Sequence, residues 1–237
     1  MGAAFPTTEW SLVVAAGDLS SADARQALET LCARYWYPIY AHARQLGSDA
    51  ESARDLTQGF FAYVLEKRTL ETASKERGRF RSFLRGTFRN FSSNEWRTQR
   101  AQKRGDGRTP LPLDFDNAES RYRLEPKDTQ TPETSFERRW ARALLDRALD
   151  RLSSEMEAEG SADRFRLLVP FLAGPPERED YARLAAQLEV GEGAIRVAVH
   201  RMRQRYARLL REEVARTVGD STEVDDELRH LLSALDA

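Results

Sequence analysis

Apolar residues recur at steps of three and four along most of this chain, and strand-like alternation is nearly absent. That spacing marks helices that bury one face. It is clearest from Tyr181 to Leu210. Leu184, Ala185 and Leu188 line one face of a short helix. Glu189-Val190-Gly191-Glu192 breaks the pattern, and Ile195, Val199, Met202 and Tyr206 resume it in a second helix from about Glu192 to Leu210. Two short helices on a tight turn form a helix-turn-helix, with Gly191 expected to supply left-handed backbone in the turn.

The rest of the chain follows the same period. Thr7 or Thr8 can cap a short helix holding Trp10, Leu12 and Val13. Ser20-Ser21-Ala22-Asp23 starts a helix to about Leu46 that carries Ala27, Leu28, Leu31, Tyr35, Ile39 and Ala43, and Pro38 is expected to kink or split it. After the turn at Gly47-Ser48-Asp49, a helix from about Ala50 to Lys67 places Ala53, Leu56, Phe60, Val64 and Leu65 inward. Residues 72–78 form a polar connector, and another helix runs from near Phe80 to about Lys103. From 105 to 134 the period disappears, and Gly, Pro, Asp, Asn and Thr predict an extended or disordered linker. Helical spacing returns at about Ser135, burying Phe136, Trp140, Leu144, Leu145, Leu149 and Leu152. A helix around Phe165 to Leu172 follows, then the breaker Ala173-Gly174-Pro175-Pro176. A last amphipathic helix spans Asp225 to Leu235. The expected fold is all-α, with two small helical domains on a flexible linker: an N-terminal extension (1–20), a first domain (21–104), the linker (105–134), a helix-turn-helix domain (135–218) and a C-terminal helix (219–237).

Composition adds constraints. With 37 Lys and Arg against 38 Asp and Glu among 237 residues, a nucleic-acid surface has to come from local segregation of charge. That segregation is visible on the second helix of the helix-turn-helix, where Arg196, His200, Arg201, Arg203, Arg205 and Arg208 fill much of the space between apolar positions. Arg196, His200 and Arg203 fall on successive turns as candidates for base edges. Arg201 and Arg205 are candidates for phosphates, Glu192 for a cytosine or a helix cap, and Arg208 for a solvated helix end. The helix from Phe80 interleaves Phe80, Phe83, Phe88, Phe91 and Trp96 with Arg79, Arg81, Arg85, Arg89, Arg97, Arg100, Lys103 and Arg104. Cations there can anchor phosphates and aromatic faces can stack unpaired bases, while Asn90 and Asn94 can read base edges. Most of the phenylalanines fit a plain core better; Trp96 and the basic cluster after it do not. The lone Cys32 excludes a disulfide framework and fits a reducing compartment. No apolar run approaches the ~20 residues of a membrane span, and the N-terminus lacks signal-peptide character, so a cytoplasmic protein is expected. His42, His200 and His230 lie far apart. Metal-ligand spacing, a phosphate-binding glycine loop and a nucleophile elbow are all missing, so neither enzymatic activity nor a cofactor is expected.

Taken together, the arginine-aromatic helix, the long tether and the C-terminal helix-turn-helix resemble a bacterial sigma factor of the sigma-70 family, and more narrowly the extracytoplasmic-function (ECF) group. The resemblance covers nearly the whole chain. Asp55-Leu56-Thr57-Gln58-Gly59-Phe60-Phe61 is similar to the helix that docks on the polymerase clamp, which makes Arg54, Asp55, Gln58 and Phe61 candidate polymerase contacts. Phe83-Leu84-Arg85 through Arg89-Asn90 resembles the segment that melts and reads the minus-ten element, with Arg85, Arg89, Asn90, Asn94, Trp96, Arg97 and Arg100 as its candidate DNA contacts. Tyr181 to Arg205 resembles the region that reads the minus-thirty-five element, with Glu192, Arg196, His200, Arg201 and Arg203 as candidates. The resemblance implies core RNA polymerase (β′ clamp and β flap) and promoter DNA as partners, no membrane, and no enzymatic activity alone. The opening FPTTEWSLV and the closing EVDDELRHLL resemble one ECF subgroup. Where the family carries an acidic Asp-Ala-Glu-Asp run before its docking motif, this chain has Ser52-Ala53-Arg54-Asp55. The family's acid-poor subgroup is associated with Ser/Thr kinase control, which makes Thr57, and after it Ser52, the candidate phosphate acceptor: a phosphate would restore about −1.5 to −2 charge. The alternatives are a helix-turn-helix regulator that binds duplex DNA without polymerase, and a nucleic-acid enzyme such as a nuclease.

Overall fold

A computed structural model describes residues 22–66, 79–101, 113, 115, 117–124, 131–174, 177–218 and 220–236, without the side chains of 22–31, 65, 66, 96–101 and 178. The short helix expected around Trp10 and the connector at 72–78 lie outside the described residues. Within them the chain is all-helical: α1 (Ala22–Gln45), α2 (Ala50–Glu66), α3 (Phe80–Ala101), α4 (Ala118–Leu124), α5 (Pro132–Ala158), α6 (Ala162–Leu168), α7 (Arg178–Gln187), α8 (Glu192–Thr217) and α9 (Val224–Asp236), with 3-10 turns at Val169–Leu172 and Ser221–Glu223. Two compact units emerge. The first takes the described residues of Met1–Ala143 and Val214–Ala237, the second Leu144–Glu213. The division falls within α5 and α8.

The first unit is built around aromatic rings. Tyr35 stacks on Trp140 with centroids 4.2 Å apart and planes 9° from parallel. Phe60 meets Phe88 edge-on at 5.2 Å, and His42 lies edge-on to Phe88 and Phe136. Burial drives the His42 imidazole down to about 4, so it is a neutral core group at physiological pH. Of the two outcomes expected at Pro38, a kink or a split, the split does not occur: α1 is one helix from Ala22 to Gln45. A proline removes one i→i−4 bond and crowds a carbonyl, but Tyr35, Ile39 and Tyr40 are all buried around it, and tertiary packing outweighs that local penalty.

Phe115 and α4 are not part of a free tether, contrary to what composition suggests for 105–134. Phe115 is buried, 5.1 Å from the Trp36 ring and 5.9 Å from that of Tyr40. In α4, Glu119 accepts two bonds from Arg44, each 3.0 Å, and one from the Tyr40 hydroxyl at 2.8 Å. Arg121 lies 4.0 Å over the Tyr37 ring. A bidentate charge-assisted pair with two aromatic anchors holds this strap on α1.

The C-terminal helix belongs to the first unit. Val224, Leu231 and Ala234 of α9 are buried, and so is Glu227, at 1% exposure. Its carboxylate meets Arg81 of α3, itself only 2% exposed. Arg79 adds a second contact to Glu227 at 2.8 Å. Arg81 also donates to Glu137 of α5, which in turn pairs with Arg85 at 3.4 Å. Buried charges persist only when paired and hydrogen-bonded, and here the pairing joins three helices. Replacing Glu227 by Ala leaves the buried Arg81 with Glu137 as its remaining acid and is expected to cost about 3 kcal/mol in chemical denaturation, whereas Arg81→Met with Glu227→Leu costs less than the single change.

The second unit packs Ala148, Leu152, Leu168, Leu184, Ile195, Val199, Met202 and Leu209 in one core, with Phe165, Phe171, Leu172 and Tyr206 against it. The Tyr206 hydroxyl donates to the Leu145 carbonyl at 3.2 Å. Arg151 clamps α5 to α8 through Glu213 at 2.9 Å and Glu212 at 2.7 Å. Its helix ends reuse one device: Gly160 has φ +69, and the Ser161 N–H reaches back to the Met156 carbonyl at 2.8 Å. A left-handed residue after the last turn with a bond five residues back is the Schellman closure.

Candidate nucleic-acid interface

Helix α7 starts where the Asp180 carboxylate accepts from the Glu177 N–H at 3.1 Å. It closes with Leu188 N–H to the Leu184 carbonyl at 2.9 Å and Val190 N–H to the Ala185 carbonyl at 3.0 Å. The left-handed residue in the turn is Glu189, at φ +53, and not Gly191 as expected. Gly191 instead precedes the first turn of α8, and its carbonyl accepts from Ala194 at 2.9 Å and Ile195 at 3.3 Å. Glycine is accepted at such an N-cap, while the reversal falls two residues earlier because the Schellman bond to Ala185 fixes where the chain must turn.

The apolar period of α8 holds as expected. Ile195, Ala198, Val199, Met202 and Leu209 are buried, and Tyr206 is half-buried. The opposite face is exposed and gathers Glu192, Arg196, His200 and Arg201. Arg196 lies 4.0 Å over the ring of Tyr181, from α7. Stacking restrains its guanidinium, and preorganisation of this kind favours a group that has to meet a fixed base edge. Gln204 and the half-exposed Val197 share this face. Neither stood out among the charges, although Glu192, Arg196, His200 and Gln204 repeat every four residues.

Arg203 departs from its expected role. Its guanidinium donates to the Phe171 carbonyl at 2.8 and 2.6 Å and also to the Gly174 carbonyl. It caps the 3-10 turn ahead of α7, and those donors are not offered to a base. Arg205, a phosphate candidate, is bound to Glu155 at 2.6 Å and Glu159 at 2.8 Å. Both are positioned by carbonyls or carboxylates from elsewhere in the unit, which helical spacing alone cannot reveal. Arg208 pairs with Glu212 at 2.8 Å.

On α3, Phe80, Leu84, Phe88 and Phe91 are core, and Phe83 is half-buried against Phe80. Arg89, Asn90 and Asn94 are exposed, but Arg85 is half-buried and held by Glu137. Arg79 and Arg81, which looked like phosphate anchors, are engaged by Glu227. The side chains of Trp96, Arg97 and Arg100 lie outside the described residues.

On α2, Ser52, Arg54 and Asp55 are exposed and Gln58 is half-buried. The Arg54 guanidinium lies 5.2 Å over the Phe115 ring. Phe61 is a correction: it is 2% exposed, with its ring 5.2 Å from Phe60, and belongs to the core. Thr57 is a second correction. It is fully buried, and its hydroxyl donates to the Ala53 carbonyl at 2.7 Å. It sits beside Leu56 and one turn before Phe61, so the buried face of α2 is wider than the apolar residues imply, and this folded helix offers a kinase no access to Thr57.

Comparison with protein-family models, curated proteins and solved structures gave no match. No helix among the described residues is long and apolar enough to cross a membrane. Within the same residues, no group of three or more His, Cys, Asp or Glu is arranged to hold a metal ion.

Burial at Thr57 has a direct consequence. Thr57→Glu is expected to lower stability by several kcal/mol, because it forces a carboxylate into the core. Thr57→Val keeps the shape and is expected to stay within about 1 kcal/mol of the parent in thermal or chemical melting.

Proposed function

We propose that the chain is a sigma factor, which binds core RNA polymerase and directs it to promoters through α8 and the exposed face of α3. The observation that carries this is the face of α8. Glu192, Arg196, His200 and Arg201 stand exposed on the second helix of a helix-turn-helix, while Arg203 and Arg205 are held inside the unit. A cationic helix that presents one polar face from such a motif suits major-groove reading. The exposed Arg89, Asn90 and Asn94 on α3 support a second contact with DNA. Polymerase docking is assigned to α2, at the exposed Arg54 and Asp55 and the half-buried Gln58.

That helix carries a cation where the family it resembles carries acids, so it would meet a basic polymerase surface with one repulsive contact. Phosphate control in the folded state would act at the exposed Ser52 and not at Thr57. The second reading is a regulator that binds duplex DNA without polymerase; the exposed face of α8 supports it equally, but it gives no role to α2 or α3. Co-sedimentation of the full chain with core polymerase separates the two. The sigma-factor proposal expects a complex that Arg54→Asp tightens roughly tenfold, about 1.4 kcal/mol. A chain that binds duplex DNA yet never associates with the core enzyme, with or without that change, would point to the regulator.

A further inference from the structure

Beside the reading face of α8 lies a groove of about 460 Å³. All its walls belong to the second unit: the end of α5, helix α6 and the first turns of α8. Leu168 and Met202 give it an apolar floor. Arg201 stands on one rim. Arg164, from α6, stands on the other, and no sequence motif draws attention to it. Both arginines are exposed, and neither makes a hydrogen bond or ion pair among the described residues.

The charge balance of the groove decides what it can take. Glu159 is its acid, and it is bound to Arg205 through two contacts of 2.9 and 2.8 Å, which also hold its carboxyl below the usual range. That pair cancels, and two cations remain. The groove also runs directly into the face that carries Arg196 and His200, because Val197 and Arg201 lie one residue along from them on α8.

We infer that Arg164 and Arg201 grip the phosphates of one strand of duplex DNA across this groove, while the neighbouring face meets base edges. This rests on the DNA-binding half of the function proposed above. Contacts of this kind set register and orientation and carry no sequence information. Arg164 reaches the strand from a separate helix, so it fixes the angle at which α8 enters the groove.

Salt titration of DNA binding tests the inference. The full chain is measured by fluorescence anisotropy on a short mixed-sequence duplex between about 50 and 200 mM salt. Each neutralised phosphate contributes about 0.9 to the slope of log affinity against log salt. Arg164→Ala is expected to lower the slope by about 0.9 and the affinity roughly eightfold at 0.1 M salt, equally on every duplex sequence. Arg164→Lys keeps the charge and is expected to keep most of the slope. The side chain is exposed, so the melting temperature should not move. If Arg164→Ala keeps the whole parental slope while Arg196→Ala still weakens binding, the phosphate grip is wrong and the recognition face stands. If the parent chain shows no salt-dependent binding to duplex DNA, both are overturned.

Discussion

The carboxylate of Glu227 is the interaction on which the first unit depends. It is almost fully buried and holds the equally buried Arg81, so neither charge can be left alone without a large desolvation penalty. Through this contact the last helix of the chain becomes a structural member of the unit that carries the arginine-rich α3. Glu137 extends the network into α5 by meeting Arg81 and Arg85. Three helices distant in sequence are therefore tied at one point, and the charges that tie them are unavailable to any partner.

The same division of labour among arginines runs through the molecule. The chain is close to electrically neutral overall, and many of its arginines are already committed: Arg44 to Glu119, Arg151 to Glu212 and Glu213, Arg203 to carbonyls, Arg205 to Glu155 and Glu159. Subtracting these sharpens the surface. Over the first turns of α8 the exposed charged and imidazole side chains are Glu192, Arg196, His200 and Arg201, and Arg164 stands exposed on α6. Among the described residues, local segregation of charge on α8, which the overall composition hides, thus comes from pairing Arg203 and Arg205 within the unit and leaving Arg196 and Arg201 on the exposed face.

How much of this was visible beforehand varied with the physics involved. Helical period identified the apolar faces of α2, α7 and α8, because burial of one face imposes that spacing. It gave Ile195, Val199 and Met202 as core and the all-α class. It failed where a polar side chain is satisfied by something far away in sequence. Nothing in the pattern singles out Glu227, Arg203 looks like a base reader, and Thr57 looks like an accessible phosphate acceptor. Each is decided by a partner or a packing environment that no local pattern encodes. The strap around Phe115 was missed for a related reason: it is held by aromatic and ionic anchors with no period, and composition alone resembles a tether. The position of the left-handed turn residue was also misassigned, since glycine is the default there and the closing bond placed Glu189 in it instead.

The central claim is that this helical chain brings polymerase to a promoter. Transcription of a randomised promoter library by core RNA polymerase, with and without the chain, tests it most directly. The account predicts transcripts that appear only when the chain is present, that start downstream of a shared sequence, and that are lost with Arg196→Ala. Transcription no different from that of core enzyme alone, despite intact folding and duplex-DNA binding, would contradict it.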